Sequence, residues 1–460
     1  MFTMSKRRFQ LYLANVYLDT MSKSPIDRLL SPVHRFIHQE FTGGIVLFIS
    51  VVIALVWVNS PLAGSYHHVW ETELSVELGG NVFKYPLHVW INDGLMALFF
   101  FVIGLELKRE FMAGELSTLK KASLPMAAAL GGMLVPALIY SAINFNQPSM
   151  SGWGVPMATD IAFALGLLSL AGRYIPTSVK VFLSALAVAD DLGAVLVIAF
   201  FYTAHISFFY LILAAVLLAV LVTLNLLGVR STLIYLILGI MVWTCFLFSG
   251  VHATIAGVLV AFTIPARTKI DEGEYIALVR GHANKFEKAI PLHGPLMTAD
   301  QHHIVEEIKS LSLDAQTPLQ KIEYGLHPWV AFVIMPVFAL ANSGMHIGSD
   351  FFTALINPVS LGVVAGLVIG KFIGVFSFTW LMVRIGLSRL PVRTTWKHIL
   401  GVSMLAGVGF TMSLFITGLA FRNAQHVENA RYGILLASVI SGSAGIIYLR
   451  TLSGKRPSRE

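Results

Sequence analysis

Residues 181–202 read VFLSALAVADDLGAVLVIAFFY, and the adjacent carboxylates of Asp190 and Asp191 in the middle of that run decide how the chain is read. The run is apolar on both sides of the pair and long enough to cross a bilayer, which takes about 20 residues. A carboxylate at the centre of a membrane helix costs about 2.5–3.5 kcal/mol on insertion scales. Two in succession are hard to explain as packing. They require a water-filled cavity, a cation, protons or a buried base, and each of those means ion chemistry inside a membrane.

Composition agrees. Of 460 residues, 56% are hydrophobic and 12% charged, with a mean hydropathy of +0.74. Soluble domains carry about 25% charged residues, so the fold class predicted is an all-α polytopic membrane protein. Runs long enough to span recur about twelve times, at 43–59, 87–112, 123–144, 153–172, 180–203, 207–228, 232–248, 250–265, 326–344, 359–383, 398–421 and 432–450. The organisation that follows is an N-terminal arm 1–41, eight spans within 42–265, a long polar loop 266–325, four spans within 326–451 and a tail 452–460. The arm has no cleavable signal pattern, so the first span is expected to act as an uncleaved anchor. The single cysteine, Cys245, excludes an internal disulfide.

A net charge of +7 would suggest nucleic acid as the partner of a soluble protein. Its distribution says otherwise. With the loops assigned to alternate sides, 28 of the 32 Lys and Arg residues fall on the side of the N-terminus, and only Lys84, Arg422 and Arg431 on the other. The positive-inside rule then places both termini in the cytoplasm of the cell, with the bilayer as the partner.

Two polar segments break the pattern. Within the outer loop 60–86, TELSVELGGNVFKYPL alternates Leu74, Val76 and Leu78 before Gly79-Gly80, which predicts a β-hairpin. Such a hairpin is marginal alone; it either pairs with a second copy or folds as a simple loop. The loop 266–325 carries helical pieces, with Ile304, Val305, Ile308 and Leu311 on one face. Its His302-His303 and Glu306-Glu307 have no metal-ligand spacing beyond proximity, so a solvated or membrane-surface helix is the better reading.

Ionisable residues within or at the ends of spans are Asp93, Glu106, Arg109, Glu110, Asp160, Asp190, Asp191 and Lys371. Such groups face a cavity or a partner. Neighbours on a helix point about 100° apart, so one of the Asp190–Asp191 pair can line an ion cavity while the other turns to another helix. Hard cations favour oxygen ligands, and burial disfavours charge, so protons and a cation would compete for the same oxygens. That competition is a physical basis for exchange. Lys371, in GLVIGKFIGV, lies too deep to snorkel. Paired with Asp190 it would form either a switch or a structural ion pair.

Asp160 ends GWGVPMATD, whose Gly152, Gly154 and Pro156 predict a poorly helical entry within a span. A second such place is GVGFTMS, with Gly407 and Gly409. Asp160 could neutralise positive half-helix ends there and Lys371 negative ones. Glu106, Arg109 and Glu110 share one face by their spacing of three and four. They form either a titrating cluster or a solvated helix end, and the same choice holds for Glu323 and His327 in EYGLHPW. His252, in SGVHATIAG, is either a hydrogen-bonded buried histidine or a pH sensor.

WINDGLMALFFFVIGLELKREF, ATDIAFALG, LAVADDLGAVLVIAFFYT, SGVHATIAG, LHPWVAFVIMPVFALANSG, GLVIGKFIGV and GVGFTMSLF together resemble the bacterial NhaA sodium/proton antiporters, in unbroken order from about residue 35 to 451. The resemblance implies twelve helices with two inverted repeats, roughly 123–203 and 359–450, an architecture for which this family is itself a standing example. It implies interrupted helices crossing at ATD and GVGFTMS. It further implies a sodium site at Asp191, a proton carrier at Asp190 paired with Lys371, and Thr159 and Asp160 close by. Glu106, Arg109, Glu110 and Glu323 fall where the family places pH sensing, and the outer hairpin 70–86 where it dimerises. Na⁺ or Li⁺ and protons are the implied substrates, exchanged electrogenically across the bacterial inner membrane, with no cofactor. The arm 1–41 and the loop 266–325 are longer than in compact members.

Other classes fit less. An intramembrane aspartyl protease using Asp160 and Asp191 would leave Lys371 and Asp190 unexplained, and the GxGD signature is absent. A passive cation channel would not need a buried lysine that competes with its ion.

Overall fold

The computed structural model describes residues 42–78, 81–172, 175–203, 206–289, 296–348 and 351–453. The arm 1–41, the hairpin turn Gly79-Gly80 and all but the first residues of the tail lie outside them. The described chain is helical apart from one hairpin.

Helix α1, Thr42–Val58, turns by 115° into the short outer helix α2, Ala63–Glu71. Strands β1, Glu73–Leu78, and β2, Asn81–Pro86, follow as the expected antiparallel hairpin, with Glu73 opposite Pro86 and Leu78 opposite Asn81. The continuous spans are α3 (Leu87–Ala113) and α4 (Leu119–Ile143). After an interrupted span come α6 (Thr177–Phe201), α7 (Phe208–Leu226) and α8 (Thr232–Ser249).

The run 250–265 forms a helix shorter than the run itself. Gly250 adopts a left-handed conformation at φ 82° and ends α8, and helix α9 covers only Thr254–Thr263. Ten residues rise about 15 Å, half of the hydrocarbon thickness of about 30 Å. Lys108 of α3 reaches over to the far end of α9 and donates to the carbonyls of Phe262 at 2.7 Å and Ile264 at 2.5 Å. A cation at a helix C-terminus satisfies orphan carbonyls and opposes the negative dipole end.

The loop 266–325 contains two surface helices, α10 (Glu272–Lys288) and α11 (Ala299–Asp314). Its last residues are already helical. Thr317 accepts from Gln320 N as an N-cap with Pro318 at the first position, so the ninth span begins there as α12, Pro318–Asn342. This early start places Glu323 on a packed helix.

Two trios of spans share one plan: continuous, interrupted, continuous. In the first, α4 precedes a 3₁₀ helix, Pro148–Met157, joined to α5, Ile161–Leu170, at a 45° bend, and α6 follows. In the second, α13 (Pro358–Arg384) precedes α14 (Trp396–Leu405) and α15 (Phe410–Ala420), bent by 46°, and α16 (Ala424–Ser453) follows. The chain reverses seven times between α4 and α13, so the trios run in opposite directions. Helices α4 and α13 cross at glycines: a Cβ on Gly374 would sit 2.1 Å from the carbonyl oxygen of Gly131. Such small residues let membrane helices approach backbone to backbone.

Candidate functional site

The two bends meet. Ala158–Asp160 is extended backbone between Met157 and Ile161, and the N–H of Asp160 donates to the carbonyl of Val408, in the other break, at 2.7 Å. Gly409 leaves room for this approach, and Gly407 for the neighbouring helix α13. A Cβ on Gly407 would lie 2.4 Å from Leu367 O, and one on Gly409 2.9 Å from Ala158 O.

Asp160 holds both half-helices. Its Oδ1 accepts from Phe163 N at 3.0 Å, capping α5. Its Oδ2 accepts from Thr411 N at 3.1 Å and from the Thr411 hydroxyl, in the first turn of α15. One carboxylate therefore faces two helix N-termini, where backbone N–H groups and dipoles favour negative charge. Thr411 was not singled out by sequence reasoning, although it stands inside GVGFTMS.

Asp190 and Asp191 point different ways from the middle of α6, as their spacing requires. Lys371 Nζ pairs with Asp190 Oδ2. The Thr159 hydroxyl lies 2.7 Å from that same oxygen and 2.9 Å from Ala406 O, at the end of α14. A hydroxyl carries one proton, so it donates to one of these acceptors at a time. Lys371 thus goes to a carboxylate, and the half-helix carbonyl of Ala406 is met by Thr159. A π turn at Ala365–Gly370 leads directly into Lys371. Such turns are invisible to helical periodicity and concentrate at functional sites.

Asp191 is the exception in this network. Thr159, Asp160, Asp190, Asp191 and Lys371 are all at most 1% exposed. Both oxygens of Asp191, and Oδ1 of Asp190, nevertheless have no hydrogen-bond partner among the described residues. The charges acting on Asp191 are those of Asp190, Asp160, Glu106 and Lys371, three of them like-signed. A buried carboxylate in such company needs a proton or a cation. The oxygen-only donor set suits a hard cation such as Na⁺.

A second cluster sits at the far end of α3. Arg109 Nε lies 3.0 Å from Glu323 Oε1, and its Nη2 lies 3.4 Å from Glu110 and 3.7 Å from Glu106. Glu110 also accepts from Glu115 N at 2.9 Å. The four residues expected together are together, and Glu323 joins because α12 begins early. His252 is not among them. It stands at the opposite end of α9 from Lys108, with Nε2 3.1 Å from Tyr202 O.

Crossed, interrupted helices around sealed charges are the architecture of a polytopic membrane transporter. Comparison of sequences makes it specific. The sequence profile of the family described as Na+/H+ antiporter 1 matches residues 34–449. The chain is 49% identical over 437 residues to a protein named Na(+)/H(+) antiporter NhaA from Oleidesulfovibrio alaskensis, covering 95% of this chain and 97% of that one. It is 47% identical to its namesake in Acidithiobacillus ferrooxidans, covering 93% and 99%. With Na(+)/H(+) antiporter NhaA 1 of Psychromonas ingrahamii it shares 48% identity, covering 90% and 95%. The chain belongs to the Na+/H+ antiporter 1 family.

Proposed function

We propose that this protein exchanges cytoplasmic Na⁺ or Li⁺ for external protons, with Asp191 as the principal cation ligand. The observation that carries this reading is the sealed Asp191 carboxylate with both oxygens unpartnered beside the Asp190–Lys371 pair. In the proton-loaded state Asp191 holds a proton. A cation arriving from the cytoplasm displaces it and takes Asp191 and the free Oδ1 of Asp190 as ligands. Its charge weakens the hold of Asp190 on Lys371, and the second proton leaves from that pair. Two protons for one monovalent cation make the cycle electrogenic. Thr159 adjusts by turning its hydroxyl between Asp190 and Ala406.

The cytoplasmic cluster of Glu106, Arg109, Glu110 and Glu323 regulates access as its glutamates lose protons with rising pH. We place the chain in the bacterial inner membrane with both termini in the cytoplasm, because the basic residues fall on one set of loops. We also assign the outer hairpin 70–86 to homodimerisation. Leu74 and Tyr85, opposite each other in register, are 47% and 38% exposed. Everted vesicles holding a respiratory pH gradient test the exchange: Na⁺ and Li⁺ should collapse the gradient and K⁺ should not. A gradient untouched by Na⁺ at every pH would overturn the reading.

A further inference from the structure

An apolar cleft of about 590 Å³, lined in part by exposed apolar side chains, lies between α1, α5 and α16. Its walls include Phe48, Phe163, Leu170, Phe410, Ser443 and Ile447. The cleft reaches the ion-site crossing, since the Phe163 and Phe410 rings, 6.0 Å apart, belong to the first turns of the two half-helices that Asp160 holds. Along α16 it runs from Leu435 to Ile447. That is about 18 Å of helix rise, close to one leaflet of a hydrocarbon core about 30 Å thick.

One end of the cleft is charged. Arg450 is exposed one turn beyond Ile447, and its Nη2 donates to the carbonyl of Leu170, itself a cleft residue, at 3.3 Å. Arg450 sits in the last turn of α16, the last described helix. Guanidinium groups bind phosphate in a forked geometry, and anionic headgroups attract such residues on the cytoplasmic side.

We infer that the cleft is a binding site for an anionic phospholipid of the cytoplasmic leaflet, its phosphate on Arg450 and one acyl chain laid against Phe163 and Phe410. The site is independent of the exchange reading, because occupancy is measured on the resting protein.

The test is thermal unfolding of the purified full chain in detergent, with dioleoyl phosphatidylglycerol or dioleoyl phosphatidylcholine added. Phosphatidylglycerol should raise the melting temperature by about 5 °C more than phosphatidylcholine. Arg450→Gln should abolish that preference. Ser443→Phe, an exposed position that fills the cleft, should abolish it too while leaving Arg450 in place. Arg389→Gln, another exposed basic residue away from the cleft, should keep it. Wild-type preference in both Arg450→Gln and Ser443→Phe would overturn the proposal. So would a preference that appears only when residues 1–41 are removed, since the occupant would then be the chain's own arm.

Discussion

The crossing and the Arg109 cluster use the same chemistry, several carboxylates around one cation, to opposite ends. In the cluster, Arg109 stands within 3.0–3.7 Å of three glutamates, its side chain a third exposed. Arg109 there is shared among three glutamates, one of which, Glu110, also accepts from Glu115 N. At the crossing the charges are sealed, and each has an assigned partner except Asp191. Redundancy makes the cluster tolerant of a proton gained or lost; its absence makes the crossing respond to one. The two are not separate, because Glu106 belongs to the cluster and also acts on Asp191.

The contrast breaks most sharply at Asp191. Asp191→Asn keeps shape and removes charge, and no hydrogen bond among the described residues is lost with it. Na⁺-driven proton movement in everted vesicles should fall at least about 100-fold, since a neutral amide is a poor ligand for a hard cation. The melting temperature should stay level or rise. A well-expressed variant that exchanges normally would remove Asp191 from the mechanism.

Next in size is the buried ion pair. Lys371→Met strands the Asp190 charge, and Asp190→Asn strands the ammonium; leaving one buried charge uncompensated costs about 3–5 kcal/mol. The double variant should be more stable than the sum of the two predicts. A double-mutant cycle in thermal unfolding that shows no coupling would dissolve the pair. The same substitutions within the cluster, where Arg109 keeps other partners, should show weaker coupling.

A smaller effect separates contacts across the crossing from contacts within one helix. Thr411→Val removes a hydroxyl donor to the Asp160 carboxylate, a bond to a charged group worth about 1.5–3 kcal/mol. Thr417→Val removes only a hydroxyl bonded back to Ser413 O of its own helix, at 2.7 Å, and should cost about 1 kcal/mol or less. Equal losses in chemical denaturation would mean that Asp160 does not tie the half-helices together.

What the sequence made legible follows from where the physics is local. The cost of burying charge marks Asp190, Asp191 and Lys371 without any structure, and helical spacing alone puts Glu106, Arg109 and Glu110 on one face. Gly and Pro mark the first break and Gly the second, because neither favours a regular helix. Thr411 was beyond reach because its partner is 251 residues away and is met only when two bent helices cross. Within the apolar run 250–265 the helix is shorter than the run, because Gly250 and the turn at Ile264 set its length. The cap that Lys108 supplies to α9 was hidden for a related reason: its acceptors are backbone carbonyls, which sequence does not distinguish. Glu323 was expected near Arg109 from resemblance, and the early start of α12 is the physical reason it gets there.

The finest test of the contrast lies at Glu323, which is 5% exposed, the most sealed member of the cluster and the one supplied by another helix. Glu323→Gln removes one negative charge and leaves the side chain's size. Two consequences then act in the same direction. Glu106 and Glu110 lose a like-charged neighbour, and each gains a larger share of Arg109. Both effects make it easier for Glu106 to shed its proton, so the cluster should reach its alkaline charge state at lower pH. The pH profile of exchange should move toward acid by up to about one unit, with the maximal rate little changed, because Asp190, Asp191 and Lys371 are untouched. Raising ionic strength should shrink the displacement, as the exposed flank of the cluster is screened. Glu110→Gln should move the profile the same way. A fixed profile in both variants would transfer pH control to the competition between proton and cation at Asp190 and Asp191. A profile that moved toward alkali would mean that the net negative charge of the cluster opens the site, rather than the loss of its protons.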